Sequence, residues 1–372
     1  MDVMRAAAAR EAAGRHVIHM EVGQPATPAP RRAREAVARA LEHDPLGYTL
    51  ALGRQDLRAR IARHYGERHG IDLDPGRVIV TTGSSAGFLL AFLSAFDAGH
   101  ACALPQPGYP CYRNILTALG QPWVALDTGP ATGFLPTPAA VRDAAARHPN
   151  LSGVLIASPN NPTGTMLPPA QLAAIADTCR DLGLWLVSDE IYHGLTYGPV
   201  AEATALAASA DAIIINSFSK YFSMTGWRVG WMVVPDHLVR TIERLQQNLF
   251  IAAPAASQVA ALATFEAIEE LEANRAVYRA NRDLLLAELP KAGFVTIAPA
   301  DGAFYLYCDV AHWTDDSLAF AARLLEETDV AATPGLDFDP VDGHRWLRFS
   351  YAGSTADVAE AADRLRRWRP AP

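Results

Sequence analysis

A chain of 372 residues, half of them hydrophobic and 19% charged, has ample apolar material for a large core, and its length suggests two domains. Its 32 basic and 40 acidic residues give a net charge of −8, which argues against nucleic acid as a partner. There is no apolar stretch long enough to span a membrane or form a signal peptide. The four cysteines (Cys102, Cys111, Cys179, Cys308) make no C-x-x-C pair and no metal-ligand spacing with histidine, so the expectation is a cytoplasmic protein with free thiols, no membrane and no metal.

In chain order, the opening "MDVMRAAAAREAAGRHV" is charged and amphipathic, and "VGQPATPAP" (22–30) is proline-rich and extended, expected to pack against the C-terminal part. The runs "RVIVTTG" (77–83), "ACALP" (101–105), "GVLIASP" (153–159), "LWLVSDE" (184–190), "AIIINSFS" (212–219) and "GWMVVP" (230–235) are nearly continuous in apolar residues, as in strands covered on both faces. Helical patterns at 85–97, 169–182 and 237–247 alternate with them, which predicts a mostly parallel α/β sheet. A long helical region at 255–289 follows, and then the strand-like "AFYLYCDV" (303–310) and "WLRFSYA" (346–352). The expected fold is α/β: a large domain at 41–279 with its sheet sandwiched by helices, and a smaller α+β domain built from 1–40 and 280–372.

Ligands of open α/β sheets bind beyond the carboxyl ends of the strands. Those ends carry "TGSSAGF", "SPNNPTG", "SDEIYHG" and "SFSK". Of the 32 basic residues only Lys220 and Lys291 are lysines, leaving 32 − 2 = 30 arginines. Lysine can lose its proton and attack a carbonyl, whereas arginine cannot. A lysine kept at a strand end in an arginine-rich chain therefore points to imine chemistry at Lys220. An aldehyde cofactor with a phosphate handle would find a cation in Arg228, hydroxyls at Ser217 and Ser219, and helix-opening N–H groups at Ser84 and Ser85. "TGSSAG" is also an ordinary helix cap, and "NNPTG" is also simply a turn. The acids Asp189 and Glu190 read either as a structural pair or as the carboxylate that keeps a pyridine nitrogen protonated, with Tyr192 or Asn161 on the ring oxygen.

Together these pieces resemble the class I/II aminotransferases, the fold-type-I enzymes that use pyridoxal 5′-phosphate. The resemblance runs from "VGQPATPAP" through "YTLALGRQDLR", "TGSSAG", "PGYPCY", "SPNNPTG", "SDEIYHG", "SFSKYFSMTGWRVG" and "DGAFYLY" to "RFSYA". It implies Lys220 as the imine-forming lysine, Asp189 as partner of the pyridine nitrogen, and Asn161 and Tyr192 as ring-oxygen contacts. It further implies Tyr109 as the stacked aromatic residue, Ser84, Ser85, Ser217 and Arg228 as a phosphate cup, and Tyr48 as a residue lent to the neighbouring subunit of a homodimer. Arg348 and Gly23 match the family's contacts to the substrate α-carboxylate, with Asn161 beside them. The implied reaction is ping-pong transfer of an amino group from an L-amino acid to a 2-oxo acid. The alternative on the same scaffold is a β-eliminating C–S lyase. Three places depart from the family pattern: the segment before "VGQP" is short, "GQPATPAP" lacks an aromatic residue, and Asp339 stands where glycine is common.

Overall fold

The computed structural model describes residues 2–369. Its strands, in chain order, are β1 (Ile18–His19), β2 (Val78–Thr81), β3 (Ala101–Gln106), β4 (Trp123–Asp127), β5 (Leu151–Ala157), β6 (Trp185–Asp189), β7 (Ile213–Ser217), β8 (Gly230–Val233), β9 (Tyr305–Asp309), β10 (Val330–Ala331), β11 (Thr333–Pro334) and β12 (Trp346–Ser350). Seven of them form one sheet in the order β2-β8-β7-β6-β5-β3-β4. All neighbours are parallel except β8, which runs antiparallel to both β2 and β7. Every residue of β2, β3, β7 and β8 is buried, as expected of strands with helices on both faces. The edge strand β4 ("WVALD") is half exposed, which is why it lacks the continuous apolar signature of the others.

This topology places the site. The carboxyl ends of β2, β5, β6 and β7 lie at one edge of the sheet, and antiparallel β8 begins at that same edge. Ser84, Asn161, Asp189, Lys220 and Arg228 therefore converge although they come from five separate stretches of chain. Helix Gly83–Ala95 packs on β7 and β8 and aims its N-terminus at this edge.

A second layer is the antiparallel sheet β11-β12-β9, with β1 paired in parallel to β10 beside it. As expected, the segment after β1 lies along the C-terminal part: Ser350 N donates to Met20 O at 2.7 Å and Ala26 N to Ala352 O at 3.0 Å. The helical region expected at 255–289 is two helices, Ala255–Thr264 and Ile268–Glu288. The break carries Phe265 inward against the rings of Phe218 and Phe222, with the Arg60 guanidinium 4.4 Å from its centroid. We propose to keep the division into 41–279 and the paired segments 1–40 and 280–372; helices Arg31–His43 and Ile268–Glu288 run across its boundaries. Among the described residues no helix is long and apolar enough to cross a membrane.

Candidate active site

A cavity of about 480 Å³ opens at the convergent strand ends, a size suited to a small cofactor and its substrate. Lys220, Asp189, Tyr192, Asn161, Tyr109, Ser84, Ser85, Ser219, Arg228, Arg348 and Gly23 all line it.

Lys220 follows β7 and points its amine at the segment after β1, where Nζ donates to Gly23 O at 2.6 Å. Nζ also stands 5.9 Å from the Tyr192 ring centroid and 5.8 Å from that of Phe304. Burial, together with Arg348 and Arg228, pulls the ammonium down to about 8, while Asp189 partly opposes the shift. A lysine in this position sheds its proton far more easily than one in water.

Asp189 ends β6 at 3% exposure. Its Oδ1 accepts from Ile191 N at 3.0 Å, and its Oδ2 accepts a short hydrogen bond from the Tyr112 hydroxyl. Burial pushes the carboxyl up to about 6, and the Tyr112 and Ile191 donors hold it from rising further. The neighbouring acid faces away. Glu190 Oε1 accepts from Ser188 Oγ at 3.1 Å, Thr204 Oγ1 at 3.0 Å and Ala205 N at 2.8 Å, all on the far side of the strand. Successive residues of a strand point to opposite faces, and that alternation separates the two carboxylates.

Arg348, on β12, is buried. Its Nη1 donates to Asn161 Oδ1 at 2.8 Å, and its Nη2 donates to Glu21 O at 2.5 Å and Thr333 Oγ1 at 3.1 Å. The guanidinium lies 4.3 Å from the Tyr305 ring centroid and 4.7 Å from that of Phe338, while Nε has no partner among the described residues. The Tyr192 and Tyr305 hydroxyls are 2.8 Å apart. At Gly23 an added Cβ would fall 1.7 Å from Tyr305 Oη, so no other residue fits there without moving that ring.

The anion-binding end is built by Arg228 and the start of helix Gly83–Ala95. Arg228 adopts a left-handed conformation (φ 51°) just before β8, and its Nη1 donates to Thr225 O at 2.9 Å. A Cβ on Gly83 (φ +73°) would stand 2.2 Å from Arg228 Nη2. The helix start must therefore be bare for the guanidinium to lie over its free N–H groups, an arrangement suited to phosphate.

Two expected positions lie outside the cavity. Ser217 is the last residue of β7 and is held in the sheet, its Oγ 2.9 Å from Ser219 Oγ and 3.1 Å from Val229 O. It backs Ser219 rather than facing the opening. Tyr48 is 85% exposed and belongs to a different surface depression, with Thr82 and Phe250. Sequence reasoning missed Tyr112 as the Asp189 partner, Tyr305 and Thr333 around Arg348, and Glu21, Val3 and Met4 in the lining. "PGYPCY" held a signal for Tyr112; Glu21 and Val3 carried none. Beneath the site, Arg68 bonds both oxygens of Glu202 (2.5 and 3.0 Å). Burial opposes ionisation of Glu202, but His193 and Arg68 together draw it down to about 2.

A family model described as aminotransferase class I and II matches residues 15–365. The valine–pyruvate aminotransferase of Mycobacterium tuberculosis is 48% identical, over 100% of this chain and 95% of its own length. A solved aminotransferase structure from Mycobacterium tuberculosis matches with a TM-score of 0.96 at 48% identity, covering 99% of this chain and 95% of that one. The aspartate aminotransferase of Thermus thermophilus with maleate matches with a TM-score of 0.92 at 30% identity, covering 98% and 95%.

Proposed function

The chain belongs to the class I and II aminotransferases, and from that premise we propose which of its residues do which part of the work. The family depends on pyridoxal phosphate, and this enzyme moves an amino group from an amino acid to a 2-oxo acid. The cavity fits that cofactor. Gly83 leaves room for the Arg228 guanidinium over a helix N-terminus, a buried acid ends the neighbouring strand, and a lysine with a lowered pKa stands between them. The observation that carries the reading is the convergence of Lys220, Asp189 and Arg348 on one cavity.

In this reading Ser84, Ser85, Ser219 and Arg228 hold the phosphate, and Ser217 fixes the Ser219 hydroxyl. Tyr109 covers one face of the ring, and Asn161 and Tyr192 donate to its oxygen. Asp189 keeps the ring nitrogen protonated, and the Tyr112 hydroxyl keeps Asp189 an anion. Lys220 would hold the cofactor aldehyde until the substrate's amino group replaces it, which frees the Lys220 amine. When bound, the cofactor supplies an electron-accepting ring and an aldehyde that stores the amino group between the two half-reactions. Arg348 forks onto the substrate α-carboxylate beside Gly23 and Asn161, which turns the Cα–H toward Lys220 Nζ. The neutral amine takes that proton, a role favoured by a pKa near the working pH and typically worth ~10²–10⁴ in rate.

The donor we propose is a neutral L-amino acid, valine or alanine in kind, with pyruvate as acceptor. The name of the 48%-identical relative supports this. So does the lining, whose only cations among the described residues are Lys220, Arg228 and Arg348, none of them free for a second carboxylate, while Val3, Met4, Val22 and Phe338 supply apolar surface. We also propose a cytoplasmic homodimer. Four free cysteines favour the compartment, and exposed Tyr48, with exposed Leu41 and Leu50 nearby, suits a subunit interface through which Tyr48 serves the neighbouring site.

The test is a single half-reaction. Mixing the yellow holoenzyme with L-valine and no acceptor should bleach the visible band and release one 2-oxo acid per site, and pyruvate should restore the colour. Continuous release of pyruvate and ammonia from cystathionine, without acceptor, would instead mark a C–S lyase.

A further inference from the structure

One side chain of the lining touches both the arginine set for the substrate carboxylate and the tyrosine set for the cofactor ring. Tyr305 opens β9, and Arg348 on β12 stands opposite Tyr307, so Tyr305 is its diagonal neighbour across the antiparallel ladder. Strand alternation puts Tyr305, Tyr307 and Arg348 on one face, within reach of long side chains. The Tyr305 ring centroid lies 4.3 Å from the Arg348 guanidinium. Its hydroxyl meets the Tyr192 hydroxyl at 2.8 Å, and the two rings stand edge to face at 5.7 Å. Both side chains are buried, and both line the cavity. The Tyr305 hydroxyl is also pressed against Gly23, where an added Cβ would fall 1.7 Å from it, so its place is fixed.

A tyrosine has one O–H to donate. Between Tyr192 and Tyr305 alone, either hydroxyl can be the donor. Once Tyr192 gives its proton to the ring oxygen of the cofactor, its own oxygen is left to accept, and Tyr305 becomes the donor. We propose that Tyr305 is a positioning residue with two separable duties: its hydroxyl fixes the direction of the Tyr192 proton, and its ring holds the Arg348 fork for a carboxylate. Hydrogen bonds in a chain strengthen one another, so the Tyr305 O–H makes Tyr192 the better donor. An aromatic face covers the plane of a guanidinium and leaves its N–H edges free.

The inference rests on the roles given above to Tyr192 and Arg348, and its test tells the failures apart. Tyr305→Phe keeps the ring and removes the hydroxyl; Tyr305→Leu, or Tyr305→Met if that does not fold, removes both. The first readout is the pH at which the visible band of the holoenzyme titrates. Weaker donation from Tyr192 leaves more negative charge on the ring oxygen, which holds the chromophore's proton more firmly. The titration should therefore move up by about half a pH unit in both variants, and further in Tyr192→Phe. The second readout is the inhibition constant of isovalerate, a carboxylate with the skeleton of valine and no amine, against bleaching by valine. It should rise about tenfold in Tyr305→Leu and stay within about twofold of the wild-type value in Tyr305→Phe. A merely structural role would move both readouts together in both variants. A titration that Tyr192→Phe moves and Tyr305→Phe does not would overturn the role of Tyr305. So would an isovalerate constant raised equally in the two Tyr305 variants, or one unmoved in Tyr305→Leu. A titration unmoved in Tyr192→Phe would overturn the reading of Tyr192, and this inference with it.

Discussion

Replacing Lys220 with methionine should make the apo-protein more stable at neutral pH, and on the role proposed for Lys220 it should also abolish the reaction. An ordinary lysine titrates at 10.5, and burial with Arg348 and Arg228 brings Lys220 to about 8. At ~1.4 kcal/mol per pH unit, a protonated Lys220 costs the folded protein about 3 kcal/mol. Against this stands its bond to Gly23 O, worth about 1 kcal/mol and replaceable by water in the cavity. The net expectation is an advantage of roughly 2 kcal/mol for Lys220→Met. The sign follows from linkage. The folded-state pKa lies below the unfolded one, so the cost is fully present below about 8, fades as pH rises through 10.5, and is gone only above that, where both states are neutral. Urea unfolding of the two apo-proteins at equal concentration, at about pH 7 and again at about pH 10.5, measures this difference directly. A methionine variant no more stable than the wild type at neutral pH, or one whose advantage persists unchanged at the alkaline end, would refute the claim that Lys220 sits in a site hostile to its charge.

Tyr112→Phe removes the hydroxyl bonded to Asp189 Oδ2, which lets the Asp189 pKa rise above about 6. A hydrogen bond to an ionised group is worth ~1.5–3 kcal/mol, so the acid limb of the kcat/KM profile should move up by about one to two pH units, and activity should be lost earlier on acidification. Gly83→Ala places a methyl group 2.2 Å from Arg228 Nη2 at φ +73°. Left-handed backbone strain and the displaced guanidinium should weaken binding of pyridoxal phosphate to the apo-protein at least about tenfold, as read by calorimetric titration.

The large sheet was legible because β3, β5, β6 and β7 are almost wholly buried and so are written in nearly continuous apolar residues. The chemistry at their ends was legible for a related reason: polar residues directly after such runs have little else to do. What escaped depends on distance in space. Tyr112 and Asp189 are 77 residues apart, and nothing local joins them. The break between helices at Phe265–Ala267 has neither glycine nor proline, and only the ring cluster around Phe265 explains it. Ser217 and Ser219 looked equivalent in "SFSK"; their difference is that β7 ends at Ser217, which leaves the first hydroxyl in the sheet and frees the second. Glu21 was hidden because an acid in an extended segment usually faces water, and its burial is fixed by contacts far along the chain.

Arg348 is joined to Glu21 across 327 positions and to Asn161 across 187. A protein emerging from the ribosome cannot assemble this grip until its last strand has been made, whatever its earlier parts have achieved. On the role proposed for Arg348, prematurely terminated products should be silent rather than half-active, and a chain still being synthesised should have no receptor with which to act on free amino acids.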